Sequence, residues 1–395
     1  MKRVAAIVSC YFPISHADVL VTKLMKGIPT DEGLRAPRVK LASLYIDQMH
    51  PRDIGHTLAF LHGVPVYQSI EHALTLGTGQ LAVDGVLLIG EHGDYPCNEL
   101  GQQLYPRRYF FEQVCGVFAS SGRSVPVFVD KGLSYCWEDA TWITERARAL
   151  GVPLMAGSSI PVTWRRPVYD VEMGAPIDEA VVVGYGPLER YGFHLLEALQ
   201  AMVERRRGAE VGIKAVQYLG GEAVWSAAKQ GLWPLELAQA ACSVIDPAKK
   251  GARGMVEDSQ PDDLHAFLLE YNDGLKATAL LLNGYLRQIA YAGRSGERID
   301  ATAFVTHDAN PYAHFSYLLL NVEEMFLSGT PSYPVERTLL TTGALDALMR
   351  SSHEGSRRLE TPHLAVTYAP AERIPWRPAN PEPCGASVAE WPPRT

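Results

Sequence analysis

Residues 4–16 read Val-Ala-Ala-Ile-Val-Ser-Cys-Tyr-Phe-Pro-Ile-Ser-His: an apolar run, a turn, then a stretch with helical spacing. A strand, tight turn and helix at the start of a chain open a doubly wound α/β domain, whose first turn normally holds a dinucleotide through glycines. This turn contains no glycine. Working outward, short apolar runs recur at 39–46, 64–67, 84–89, 125–129 and 152–156. Stretches with helix-like spacing separate them, at 16–27, 51–62, 70–76, 99–121 and 138–150. Continuous apolar strands alternating with helices predict a parallel sheet covered on both faces. Its ligand is expected at the carboxyl ends of the strands, near residues 9–16, Asp47, 90–96, 130–135 and 157–166.

The pattern changes after Pro167. A strand at 180–184 and a helix at 188–206 precede longer alternating segments at 212–218, 265–281 and 286–291, divided by turns such as Asn272-Asp273-Gly274. This predicts a mostly antiparallel open sheet with helices on one face, closed by helices at 313–329 and 338–352. The last 26 residues hold seven prolines, which predicts an extended arm. The expected organisation is a Rossmann-like domain over 1–156, an α+β domain for substrate and oligomerisation over 157–360, and a proline-rich arm over 361–395.

The net charge of −8 offers no basic footprint for nucleic acid. No apolar run reaches the ~18 residues that span a bilayer. The first residues lead straight into a strand without a signal-peptide pattern. Six scattered cysteines without a C-x-x-C pair suggest reduced thiols, so a cytoplasmic enzyme is expected.

Several stretches, in order, resemble the glucose–fructose oxidoreductase, inositol dehydrogenase and rhizopine-catabolism (Gfo/Idh/MocA) family. Residues 37–47, "PRVKLASLYID", look like its second strand with a terminal acid. Residues 62–76, "HGVPVYQSIEHALTL", look like its "GVPxYxSxEELL" segment. "DGVLLIG" at 84–90 matches the strand leading to the nicotinamide, and "GVPLMAG" at 151–157 the sixth strand. Asp130-Lys131 stands where the family has Glu-Lys-Pro, and residues 191–197, "YGFHLLE", are similar to its "GxHxxD". The resemblance spans about residues 4–360. It implies an oxidoreductase acting on a C–OH of a sugar- or polyol-like small molecule with NAD or NADP, and a homo-oligomer joined through the second sheet.

The same resemblance implies roles. Lys131 would touch the nicotinamide and the substrate hydroxyl and stabilise an alkoxide. His194 would take the hydroxyl proton, a task suited to a pKa near neutrality. Asp130 would stand beside Lys131. In many members an aspartate four residues before the histidine orients it; here that position is Arg190, with Glu189 beside it. Glu189 would have to substitute, while Arg190 would hold an anionic group of the substrate.

The departures are as informative. In the family's G-x-G-x-x-G-x-x-H turn, counted back from His16, the glycine positions hold Val8, Cys10 and Pro13. Cys10 adds a side chain where phosphate oxygens would press, and Pro13 lacks an N–H to donate. The neutral loop after the fourth strand becomes Gly90-Glu91-His92-Gly93-Asp94-Tyr95-Pro96, which puts two carboxylates beside a polyanionic cofactor. Asp47 argues the other way, since an acid there bonds an adenosine ribose, although a strand-end cap explains it equally. The expected cofactor contacts are therefore Cys10, Pro13, His16, Asp47, Glu91 and His92.

An alternative follows: a nicotinamide-independent lyase, isomerase or hydrolase on the same fold, using the Glu91/His92/Asp94 loop with or without a divalent metal. The metal ligands would be Glu91, His92, Asp94 and His194. Arg107, Arg108, Tyr135, Arg165 and Arg166 are further candidates for anionic substrate groups. A non-catalytic binding protein is disfavoured by the ionisable residues crowded at strand ends.

Overall fold

The computed structural model describes residues 1–391. The first domain runs β1 (Lys2–Val8), α1 (His16–Lys26), a ribbon of β2 (Ile28–Thr30) and β3 (Gly33–Arg35), β4 (Val39–Ile46), α2 (Gly55–Leu61), β5 (Val66–Tyr67), α3 (Ile70–Thr75), β6 (Gly85–Ile89), α4 (Arg107–Ser121), β7 (Val127–Asp130), α5 (Trp137–Ala149) and β8 (Leu154–Gly157). The six principal strands pair in the order β5-β4-β1-β6-β7-β8, all parallel. This is the doubly wound arrangement, with the crossover beside β1. Val4–Val8 and Val86–Ile89 are fully buried because both faces are covered, which is why they read as unbroken apolar runs. Helix α4 starts at Arg107, not near 99: Pro106 caps it, and a proline cannot continue a helix from upstream.

The second domain contains β9 (Trp164–Arg166), β10 (Glu179–Gly184), α6 (Leu188–Val203), β11 (Ile213–Gly220), α7 (Glu222–Lys229), α8 (Leu235–Ser243), α9 (Met255–Asp258), β12 (Leu264–Tyr271), β13 (Lys276–Leu282), β14 (Ile289–Ser295), β15 (Arg298–Val305), α10 (His314–Ser328), α11 (Glu336–His353) and β16 (Leu359–Glu360). Its eight strands pair in the order β16-β11-β12-β13-β10-β14-β15-β9, antiparallel except β10 with β13. Asn272-Asp273-Gly274 makes the β12–β13 turn, with Gly274 at a φ of +91°.

Helices cover both faces of this sheet, not one. Residues of α6 and α11 such as Phe193, Leu196 and Leu348 pack on the side of Val182 and Phe267. Trp225, Trp233 and Leu237, on and between α7 and α8, pack on the side of Val181 and Val183. The face expected to be open for a second copy is thus partly filled by the chain's own tryptophans. Helix α10 packs against the first domain, where Leu318, Val322 and Phe326 join the cluster around β1 and α1.

The C-terminal arm is docked. Trp376 exchanges hydrogen bonds with Asn321 and lies under the guanidinium of Arg35, 4.6 Å from the ring centre. Trp391 is buried. The final residues of the expected arm, 392–395, lie outside the described residues.

Candidate active site

The carboxyl ends of β1, β6, β7 and β8 face α6 and the 306–315 segment across an interdomain cavity of about 650 Å³. The cavity is lined by His16, Glu91, His92, Lys131, Arg190 and His194, all named from the sequence. Among the described residues seven non-glycines have positive φ, and four of them line this cavity: Ile14 (+73°), His92 (+69°), Lys131 (+63°) and Tyr312 (+53°). Backbone held in the left-handed region costs free energy, of order 1–3 kcal/mol each, and gathers at functional sites.

Glu91 is the electrostatic centre. Its carboxylate is 3% exposed and takes Lys131 Nζ at 2.8 Å on one oxygen and Arg107 Nη2 at 2.5 Å on the other. Burial alone would raise its pKa, but the two cations outweigh it and hold Glu91 well below the usual carboxylate range. Gly90 makes the pair possible: a Cβ there would meet Arg107 Cγ at 2.7 Å. Just past β7, Lys131 N donates to Gly157 O at 3.1 Å, and the left-handed backbone turns its side chain into the cavity.

Asp130 does not line the cavity. Its buried carboxylate meets His16 Nδ1 at 2.6 Å and orients that ring, so its part is positioning. Burial and the neighbouring His16 push His92 down to about 4, leaving a neutral imidazole.

His194 projects from α6, and its Nδ1 meets Ser158 Oγ at 2.7 Å. Ser158 N in turn donates to Glu197 Oε2 at 3.2 Å. Gly157 sits beside this acid, and a Cβ on it would lie 2.7 Å from the same oxygen. Ser158, not Glu189, therefore orients the histidine. Neither Glu189 nor Arg190 bonds the ring; Arg190 is exposed and reaches Gln103 Oε1 at 3.5 Å. With Nδ1 engaged, Nε2 is the nitrogen left for a ligand. Burial and the nearby Lys131 hold His194 well below its ordinary pKa, so it is neutral and able to accept a proton. The sequence reading missed Ser158, although it ends the "GVPLMAGS" run, and His314, a buried cavity-lining imidazole pushed down to about 3 by burial.

Other expectations are not met. Asp94 lines a second cavity of about 480 Å³ with Cys10, Phe12, His50 and Tyr105, while His194 and Glu91 line the first. The proposed metal set of Glu91, His92, Asp94 and His194 is not brought together, because Glu91 is spent on Arg107 and Lys131. Among the described residues no group of three His, Cys, Asp or Glu side chains is placed to hold a metal ion. Arg107 is a buried partner of Glu91, and Arg108 pairs with Asp139 at 2.7 Å. Among the described residues no helix is long and apolar enough to cross a membrane.

No protein-family profile and no curated protein matches the sequence. Solved structures do match along nearly the whole chain. GenD2 from gentamicin A biosynthesis, in complex with NAD, matches with a TM-score of 0.56 at 17% identity, over 91% of this chain and 96% of its own. A probable dehydrogenase from Thermotoga maritima matches at 0.54 and 13%, over 92% and 99%. Scyllo-inositol dehydrogenase from Lactobacillus casei, with bound NAD(H) and scyllo-inositol, matches at 0.54 and 11%, over 91% and 99%. The chain has the two-domain dehydrogenase fold.

Within that fold, the β1–α1 turn does not fit a pyrophosphate. Helix α1 begins only at His16, and its N-terminus is capped from inside: Ser15 Oγ accepts from Asp18 N and from Phe12 N, each at 3.2 Å. Ile14 N donates to Asp18 Oδ2 at 2.8 Å. The Ser15 hydroxyl and the buried Asp18 carboxylate thus occupy the N–H groups of Phe12, Ile14 and Asp18, and Pro13, which lines neither cavity, brings none. Cys10 is buried beside the turn, and burial pushes its thiol up to about 11. Both oxygens of Asp47 are taken, by the hydroxyls of Tyr45 and Tyr95 at 2.8 Å each. Of the expected cofactor contacts only His16, Glu91 and His92 face the interdomain cavity.

Proposed function

We propose that this protein is an enzyme acting at a hydroxyl-bearing carbon of a sugar- or polyol-like small molecule, an oxidoreductase of the Gfo/Idh/MocA type in line with the fold it shares. The observation that carries this reading is the convergence of Lys131, from the first domain, and His194, from the second, on one cavity. Lys131, fixed by Glu91, supports the substrate oxygen as it gains charge. His194 Nε2 takes the hydroxyl proton, and Ser158 and Glu197 hold its ring in place. NAD or NADP is the hydride acceptor that this reading calls for. The β1–α1 turn offers it no cradle, so its grip would have to come from other walls of the cleft. A soluble, cytoplasmic homo-oligomer fits the same reading, its contact made by whatever α7 and α8 leave uncovered.

The self-capped turn favours a second reading, a nicotinamide-independent lyase or isomerase that uses the same proton-transfer groups. One experiment separates the two. The purified protein is weighed by native mass spectrometry and titrated with NADH and NADPH while tryptophan fluorescence is followed. Dinucleotide mass or saturable quenching supports the oxidoreductase, to be followed by a polyol dehydrogenase screen. Bare protein that is neither quenched nor protected from heat overturns it in favour of the second reading.

A further inference from the structure

Away from the interdomain cavity, and sharing no lining residue with it, five arginines surround a cavity of about 150 Å³ where the second domain meets the C-terminal arm. Arg165 comes from β9, Arg205 from just after α6, Arg337 from α11, and Arg373 and Arg377 from the arm. Three carboxylates line the same cavity: Asp170, Glu204 and Glu372. We propose that this cavity binds a tetrahedral oxyanion, inorganic phosphate or sulfate, which pins the arm to the second domain.

The charge accounting carries the proposal. Asp170 is shared between Arg165, whose Nη1 lies 2.7 Å from it, and Arg377. Glu204 is taken up by Arg337, whose Nε lies 2.8 Å away and whose Nη2 grips the other oxygen. The Arg205 donors end on backbone carbonyls, Val171 O at 2.6 Å and Ala371 O at 3.2 Å. Arg373 has no carboxylate partner among the described residues. Five cations facing three anions leave two positive charges. Arg165 and Arg337 are 3% and 2% exposed, and a guanidinium does not shed its proton to relieve burial.

Three guanidinium nitrogens of these arginines, Arg165 Nε, Arg337 Nη1 and Arg377 Nε, are buried with no hydrogen-bond partner among the described residues. Leaving such donors unpaired is costly, and an added acceptor removes the cost. Burial and the neighbouring Arg377, Arg337 and Arg205 all work against the charge on Arg165, a strain that a bound anion reverses. Planar forks from several directions match a tetrahedral oxyanion. The cavity holds roughly five water volumes, room for phosphate and not for a nucleotide. Because Arg373 and Arg377 belong to the arm, occupancy ties the arm down.

The test uses the full chain, with inorganic phosphate titrated at constant ionic strength set by sodium chloride. Expected is a saturable rise in unfolding temperature, reproduced by sulfate and not by acetate, with slower hydrogen exchange over residues 365–380. Arg373→Ala, at an exposed position, should leave the unfolding temperature in chloride unchanged and weaken phosphate about tenfold, the loss of one charge-assisted hydrogen bond. Arg205→Ala should weaken phosphate by a similar factor, on top of a lower unfolding temperature in chloride from the loss of its bonds to Val171 O and Ala371 O. No saturable effect in the wild type, equal affinity in Arg373→Ala, or acetate acting as strongly as phosphate would overturn the proposal. So would loss of the effect in His194→Asn, which would place the anion in the interdomain cavity.

Discussion

The carboxyl ends of β1 and β7 lie on one edge of one parallel sheet, yet they have opposite chemistry. Beyond β7, Lys131 stands on strained backbone with its amine aimed into the cavity, and His194 faces the same space. Beyond β1, the turn is closed on itself by Ser15 and Asp18, and the N–H groups of Phe12, Ile14 and Asp18 are consumed internally. The contrast sets the groups proposed for proton transfer apart from the turn that would grip a cofactor. Each strand end is a local arrangement of side chains, so one can be rebuilt while its neighbour is kept.

The sharpest way to break this contrast is at the β7 end. Lys131→Met and His194→Asn should each lower turnover of the physiological substrate by about 10²–10⁴-fold, as expected for removing an oxyanion support and a proton acceptor, respectively. Steady-state kinetics on correctly folded variants check this, and unchanged kcat in either would remove the residue from the chemistry. Next comes Arg107→Ala, which leaves Glu91 one cation short in a buried site. Breaking a buried pair in this way costs about 3–5 kcal/mol, read from urea denaturation.

The pH dependence tests the neutral imidazoles. In the folded protein His92 titrates at about 4 and His314 at about 3, while the unfolded chain takes up those protons near pH 6.5. Between pH 6.5 and 4 the unfolded state therefore binds more protons, so stability is full above pH 6.5 and falls as pH drops. Each such imidazole contributes a slope of about 1.4 kcal/mol per pH unit, and His92→Asn should remove one share. Glu91 adds a loss at lower pH: its folded pKa is depressed, so its contribution is present above about pH 4.3 and fades as pH falls further.

The smallest effect belongs to the β1 end. Ser15→Ala removes a helix cap and should cost about 1 kcal/mol while leaving kcat nearly unchanged. A large fall in kcat/KM with stability intact would show that the turn meets the ligand after all, and the contrast between the two strand ends would collapse.

The sequence by itself determined the alternation of elements in the first domain. Strands buried on both faces must be apolar throughout, and that signal is local. It also placed Lys131 and Glu91 at strand ends on one edge of the sheet, because residues at carboxyl ends of parallel strands share an edge, whereas His194, inside a helix of the second domain, came only from the family resemblance. Helices α7 and α8 and strand β15 went unread, their patterns short and their apolar faces set by packing against a sheet. What only the tertiary structure decided is pairing. That Glu91 serves Arg107 and Lys131, that Ser158 replaces an acid beside His194, and that Asp18 fills the turn all depend on which side chains meet across the fold. So does the arginine cluster at the arm, built from residues up to 212 positions apart (165 to 377). Spacing along a chain sets which way a residue faces, whereas the charge it meets is set by elements distant in sequence.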